Sequence, residues 1–357
     1  MPSNTFWETD DTMSQMQRFT HIDSLRGAAV LLMVMVHAAA TWNPFQNPQL
    51  SVLAYVVSGL GGLAAPLFVT LFGWGIIRSQ LSMKQRTFQA MFLFTAQVLV
   101  NLTSPHLFNP LTPGILSLMG LVTLLSPSFT HLIKTYGMRP LYIAIILIFT
   151  LQNLFPGLQG VGQWSDRVND ETFFLIISNL FFTGTYPLFP WIVFVLLGAT
   201  ISSQDSSSGI TLPTTSLTKA ALGFGLLFCS STFLYSQYSG ELWAHPTADA
   251  YLTFFPANSA FIIAAFTGVL LIWYLIQSYE FQFLNSTGKI SLTIYLIHFI
   301  PLSIMHQYEE TYQWGLSFSS IAVLFYTFSW IPISILWVKY LPRVNFETIL
   351  RGIRKSL

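Results

Sequence analysis

The stretch RFTHIDSLRGAAVLLMVMVHAAATWNP, residues 18–44, decides the fold class. Past Arg26 it is apolar for most of its length, and a single histidine, His37, interrupts it. Roughly 20 apolar residues in a helix cross a hydrocarbon core of about 30 Å, so this stretch predicts a transmembrane helix over 26–44. Asp23 or Ser24 is placed to cap that helix. Asp23 and Arg26 are three apart and placed to pair on one face. On local signal alone, His21-Ile22-Asp23-Ser24-Leu25-Arg26-Gly27 is a capped helix start with a basic flank.

The rest of the chain repeats this pattern. Hydrophobic residues make up 53% of the 357 residues and charged ones 8%, against about 25% charged in soluble domains. The net charge of +1 gives no reason to expect a nucleic-acid partner. The single cysteine, Cys229, excludes an intrachain disulfide and a multi-cysteine metal site. Met1 to Gln17 contain Glu8, Asp10 and Asp11 but no Lys or Arg. They do not resemble a secretory signal, and the first apolar run reads as a retained anchor.

Candidate spans lie at 26–44, 52–77, 88–104, 111–130, 140–156, 172–203, 218–237, 254–277, 290–306 and 317–340. The sixth is too long for one straight helix. Gly184, Pro187 and Pro190 interrupt it, which assigns the span to 187–203 and leaves 172–183 at the outer interface or in a cavity. Ten spans with both termini cytoplasmic put fourteen of the fifteen Lys and Arg residues inside and leave Arg167 outside. The expected fold is an all-α polytopic bundle with a cytoplasmic segment 1–25, a membrane domain 26–340 and a basic cytoplasmic tail 341–357. The loop 204–217 is expected on the cytoplasmic side. No internal repeat stands out.

In this topology His21 and His131 are cytoplasmic, His106 and His245 lie in outer loops, and His306 ends span nine. His37 and His298 lie within spans one and nine. His37 is eleven residues past Arg26, about 16 Å up its helix, and His298 is nine past Lys289, about 14 Å up. Two imidazoles at matched depth near mid-bilayer point to function more than to a buried structural histidine. Their azimuth is not set by depth. Neither has a carboxylate or cysteine partner nearby in sequence, so no metal site is expected.

The motif order then resembles a known family. Ile22-Asp23-Ser24-Leu25-Arg26-Gly27 followed by His37 resembles the opening of transmembrane acyltransferases, above all the heparan-alpha-glucosaminide N-acetyltransferase catalytic-domain family. Pro66-Leu67-Phe68-Val69-Thr70-Leu71-Phe72-Gly73 resembles its second helix, and Pro113-Gly114-Ile115-Leu116 the start of its fourth. Tyr186-Pro187-Leu188-Phe189-Pro190-Trp191 through Leu197-Gly198 resembles its proline-tryptophan helix, and Phe255-Pro256 the start of a later span. Gly288-Lys289-Ile290-Ser291-Leu292 with Tyr295 and His298 resembles its glycine-to-histidine helix. The related acyltransferase-three family shares a similar arginine-to-histidine first helix, and the proline-tryptophan helix favours the first family. The chain departs at Ala64-Ala65, where some relatives carry an Asp. It also departs in the short loop Thr41-Trp42-Asn43-Pro44, where some carry an additional histidine and place Asn at the position of His37.

The resemblance implies transfer of an acyl group, in particular acetyl, from cytoplasmic acetyl-CoA or another acyl-CoA to a sugar or glycan acceptor outside. It implies His37 as general base or acyl acceptor and His298 as its partner. Arg26, Arg78, Lys84, Arg86 and Lys289 are placed to meet the phosphates. Trp164, Asp166, Trp243 and His245 are the expected acceptor contacts, with Asp170, Glu171 and Asp249 in the same loops. The expected partners are membrane lipid, acyl-CoA and the acceptor, with homo-oligomerisation left open. The expected location is the plasma (inner) membrane, as a multi-pass protein. The competing classes are a transporter with the histidines as proton relay and a non-catalytic membrane protein.

Overall fold

A computed structural model of the chain describes residues 19–42, 52–204, 210–247, 249–279 and 281–357. Most of the expected cytoplasmic segment 1–25, Asn43 and Pro44, and the centre of the loop 204–217 lie outside the described residues.

A bilayer offers no water to backbone amides, so an apolar chain within it must satisfy them by helices or closed barrels. The described residues take the helical solution. Helix α1 (Thr20–Trp42) is followed by α2 (Val52–Gly61), α3 (Ala64–Arg78), α4 (Met83–Thr103), α5 (Ile115–Tyr136) and α6 (Arg139–Leu154). Short helices α7 (Trp164–Val168) and α8 (Phe173–Ser178) precede α9 (Leu188–Ser203). Then come α10 (Ser216–Ser239), α11 (Ser259–Tyr279), α12 (Asn285–Lys289), α13 (Ser291–Ile297), α14 (Phe299–Tyr312), α15 (Leu316–Tyr340) and α16 (Phe346–Ser356). Two two-residue strands, β1 (Ala244–His245) and β2 (Leu252–Thr253), pair in parallel between α10 and α11.

Among the described residues six stretches, counting Gly59–Arg78 across the turn between α2 and α3 as one, are long and apolar enough to cross a membrane, or eight if each of two bent pairs is one span. The bent pairs are 173–183 with 188–203, at 47°, and 282–289 with 291–312, at 63°. The stretches of the other two expected spans form α4, whose first turn carries Lys84 and Arg86, and α6, an apolar helix of 16 residues, and neither is among those six to eight. The chain is an all-α polytopic membrane protein.

Three expectations change in detail. The first helix begins at Thr20, so neither Asp23 nor Ser24 caps it. Ser24 instead donates across the bundle to Phe281 O at 3.1 Å or Asn285 Oδ1 at 2.5 Å, while Asp23 pairs with Arg26 at 3.2 Å. The second span is two helices broken at Gly61-Gly62-Leu63. The ninth begins earlier, at Asn285, and bends at Ile290.

Helix α1 is central, touching α3, α12, α13, α14 and α15. Small residues let it approach them. A methyl on Gly288 would strike the backbone carbonyl of Asp23, and one on Gly27 would strike that of Leu284. Without a hydrophobic force between helices in lipid, such backbone contact is what holds them together. The crossing of α3 and α9 repeats the device with Gly73 against Val195 and Gly198 against Thr70. Gly27, Gly73, Gly198 and Gly288 of the quoted motifs are therefore helix-crossing points.

Candidate active site

The crossing of α1 and α12 sits beneath the two intramembrane histidines. Above it, the helix carrying His298 restarts at Ser291. Glu347 of α16 caps this restart by accepting from the amides of Leu292 at 2.6 Å and Thr293 at 3.2 Å and from the Thr293 hydroxyl at 2.6 Å. A carboxylate at a helix N-terminus satisfies free N–H groups and meets the positive end of the dipole. Burial nevertheless pushes the Glu347 carboxyl above the usual range.

Two turns on, the structure brings His37 and His298 together. Nδ1 of His37 lies 2.9 Å from Nε2 of His298, and the rings are nearly parallel at 12° with centroids 5.2 Å apart. His298 is fully buried, and its Nδ1 stands 2.9 Å from the carbonyl oxygens of both Ile294 and Tyr295. Carbonyls only accept, so this nitrogen carries a proton. With both rings neutral, His298 Nε2 accepts from His37 Nδ1–H, and His37 Nε2 holds a free lone pair. The backbone carbonyl of His298 accepts from the Tyr326 hydroxyl at 2.6 Å, which ties the ring's helix to α15.

A cavity of about 330 Å³ opens near the start of α1. Arg26, Gln89, Ser79 and Arg354 supply its polar lining, Phe68, Phe72, Leu93 and Met119 much of its apolar wall, and Tyr295 lines it too. Neither histidine lines the cavity. Tyr295 links the two, for its ring meets His298 edge-on at 6.0 Å. Of the five basic residues expected at a phosphate site, only Arg26 lines this cavity. Arg78 stacks over Trp74 and Phe19, Lys84 and Lys289 are exposed, and Arg86 is half-buried on α4.

Arg354 was missed because the C-terminal segment reads as a basic tail. Its signal is a helical period, with Phe346, Ile349, Leu350 and Ile353 on one side and Arg351, Arg354 and Lys355 between them. Helix α16 docks on α4, where Arg354 donates to Gln89 Oε1 at 3.2 Å and accepts at its carbonyl from Gln85 at 2.9 Å.

Towards the far end of α1, rings lead away from the histidines. His37 meets Phe299 at 4.7 Å, Phe299 meets Phe108 at 6.1 Å, and Phe108 meets Trp164 at 5.8 Å. Trp164 is held by its indole N–H on Leu107 O at 2.9 Å. Asp166 is exposed on the same short helix. Trp243 and His245 belong to a different group. Trp243 donates to Thr232 at 3.1 Å and packs on Phe233, while the His245 ring accepts from the amide of Thr247 at 3.1 Å. A second histidine pair was not foreseen: His106 stacks on His306 at 4.4 Å and approaches Thr41 at 3.4 Å, with Glu310 3.4 Å from His306. The one basic residue expected outside, Arg167, is 2% exposed and donates to the carbonyls of Gln159, Thr183 and Gly184. It acts there as a buried clamp. Among the described residues no group of three His, Cys, Asp or Glu could hold a metal ion.

No curated protein matches the chain. The family model described as Heparan-alpha-glucosaminide N-acetyltransferase, catalytic, matches residues 18–235. The matched region holds His37, Arg26, both members of the α3–α9 crossing and the proline-tryptophan helix, while His298 lies beyond it. More than half of the chain is covered, and it belongs to the heparan-alpha-glucosaminide N-acetyltransferase catalytic family of membrane acetyltransferases.

Proposed function

We propose that the protein transfers an acyl group, acetyl first of all, from cytoplasmic acyl-CoA to a sugar or other acceptor on the opposite side. The observation that carries this reading is the cavity that begins at Arg26 and Arg354 and reaches Tyr295, one ring from the hydrogen-bonded histidine pair. Two guanidiniums suit the phosphates of a coenzyme A. The apolar wall suits the pantetheine arm.

His37 acts as the general base. Its Nε2 takes the proton from the acceptor amine or hydroxyl as that group attacks the thioester carbon. His298 holds the ring by accepting from His37 Nδ1–H, and the two carbonyls behind it fix its own tautomer. His37 then returns the proton to the departing thiolate, so acyl-CoA and acceptor become acylated acceptor and free coenzyme A. The acceptor approaches along the rings from Trp164, with Asp166 at the rim. Trp243 and His245 do not belong to that row of rings.

Thermal unfolding tests the donor site, since a ligand that binds only the folded protein raises its stability. Acetyl-CoA raises the melting temperature and free acetate does not. Arg26→Ala and Arg354→Ala each weaken acetyl-CoA binding by about tenfold or more, the effect of losing a charge-assisted hydrogen bond. No shift at saturating acetyl-CoA, in folded protein, contradicts the reading.

A further inference from the structure

The hydroxyl of Tyr295 has no use in the fold. Tyr295 is 9% exposed, yet no protein group among the described residues accepts from or donates to its hydroxyl. It lines the cavity. Tyr186, at the start of the proline-tryptophan helix, packs against Trp191, Phe254 and Phe255. Its hydroxyl is equally without a protein partner among the described residues. By contrast Tyr326, in the same neighbourhood, spends its hydroxyl on a carbonyl. Buried hydroxyls in native proteins nearly always find a partner, and one left free in a cavity calls for an explanation. Phenylalanine would fill the same volume at Tyr295 without the cost.

We propose that Tyr295 is a catalytic residue whose hydroxyl polarises the thioester carbonyl and holds the oxyanion that forms there. Its position is the right one, between the donor cavity and the His37–His298 pair. The inference rests on the acyltransferase reading. When the acceptor's lone pair bonds to the carbonyl carbon, the π pair moves onto oxygen, and that oxygen accepts a stronger hydrogen bond from Tyr295. His37 holds the acceptor's proton meanwhile. The carbonyl reforms as the C–S bond breaks, the thiolate takes the proton, and Tyr295 keeps its own proton throughout. A donor aimed at charge that develops only in the transition state raises kcat with little effect on ground-state binding.

The test is Tyr295→Phe in the full-length protein. Removing an oxyanion donor lowers kcat by about 10²–10³-fold. Affinity for S-ethyl-CoA, a thioether with no carbonyl, stays as in the wild type. The melting temperature stays the same or rises, because the lost hydroxyl bonds to nothing among the described residues. A purely structural tyrosine would give the opposite pattern, with lower stability and a preserved turnover. A kcat within about threefold of an active wild type overturns the role of Tyr295 alone, being far short of the loss of an oxyanion donor. A wild type that transfers no acetyl group overturns the acyltransferase reading and this inference with it.

Discussion

His37 donates from Nδ1 to Nε2 of His298 across 2.9 Å, and the direction of that bond is set by the two carbonyls behind His298. The consequence is an imidazole whose free nitrogen is chosen by backbone atoms three and four residues back in the helix of its partner. That helix in turn is held by a glycine crossing and a glutamate cap. Replacing either support should disturb the pair without touching it.

Gly288→Ala tests the support most simply. The added methyl meets the carbonyl of Asp23, a backbone atom that cannot swing away. We expect a loss of about 1–3 kcal/mol, the usual cost of overpacking, together with a fall in transfer activity as His298 shifts from His37. Gly223 in α10 has open space where a methyl would go. Gly223→Ala should leave activity intact and hold or raise the melting temperature. Equal melting temperatures for wild type and Gly288→Ala would remove the crossing from the account.

Sidedness is tested by labelling. With Cys229 replaced by Ser, single cysteines placed in 210–217 and in 238–247 should react from opposite sides, the first cytoplasmic and the second external. The expectation rests on the Lys and Arg distribution. Reaction of both from the same side would contradict ten spans with both termini inside.

The His106–His306 pair predicts a pH effect. Burial, then repulsion from His306, holds His106 down at about 4, with Glu310 opposing. The groups facing it are His306, Glu309 and Glu310 from α14 and the Thr41 hydroxyl from α1. The unfolded chain takes a proton on this histidine below about 6.5. The folded one does not until about 4. Stability should therefore be full above about 6.5 and decline as pH falls towards about 4. Melting curves across that range should show a shallower decline for His106→Gln than for the wild type. Matching slopes would mean that His106 titrates normally in the fold.

Much of this was legible in the sequence, and the gaps have physical causes. Every expected span appears as a helix or a broken helix, because length and hydropathy are summed over many residues. The depth of His37 and His298 followed from counting rises along helices. Their contact did not, since azimuth depends on which face of α1 meets α13, and that is set by Gly27 and Gly288. Ser24 looked like a cap but bonds across to Asn285, a partner 261 residues away. Arg354 and Glu347 went unnoticed because a charged terminal stretch satisfies the positive-inside pattern whether or not it folds onto the bundle. The bend at Ile290 has no Pro or Gly at it and left no local mark.

The central claim is that His37 is the base of acetyl transfer, and the most direct measurement follows labelled acetyl-CoA to an amino-sugar acceptor across proteoliposomes. Wild type should transfer label from the Arg26 side to the opposite side. His37→Ala should lose the activity by about 10²–10⁴-fold, the usual share of general base catalysis, while acetyl-CoA still raises its melting temperature. His298→Ala should lose less, because it positions the base and does not itself take the proton. A His37→Ala protein that transfers acetyl at the wild-type rate would contradict the account.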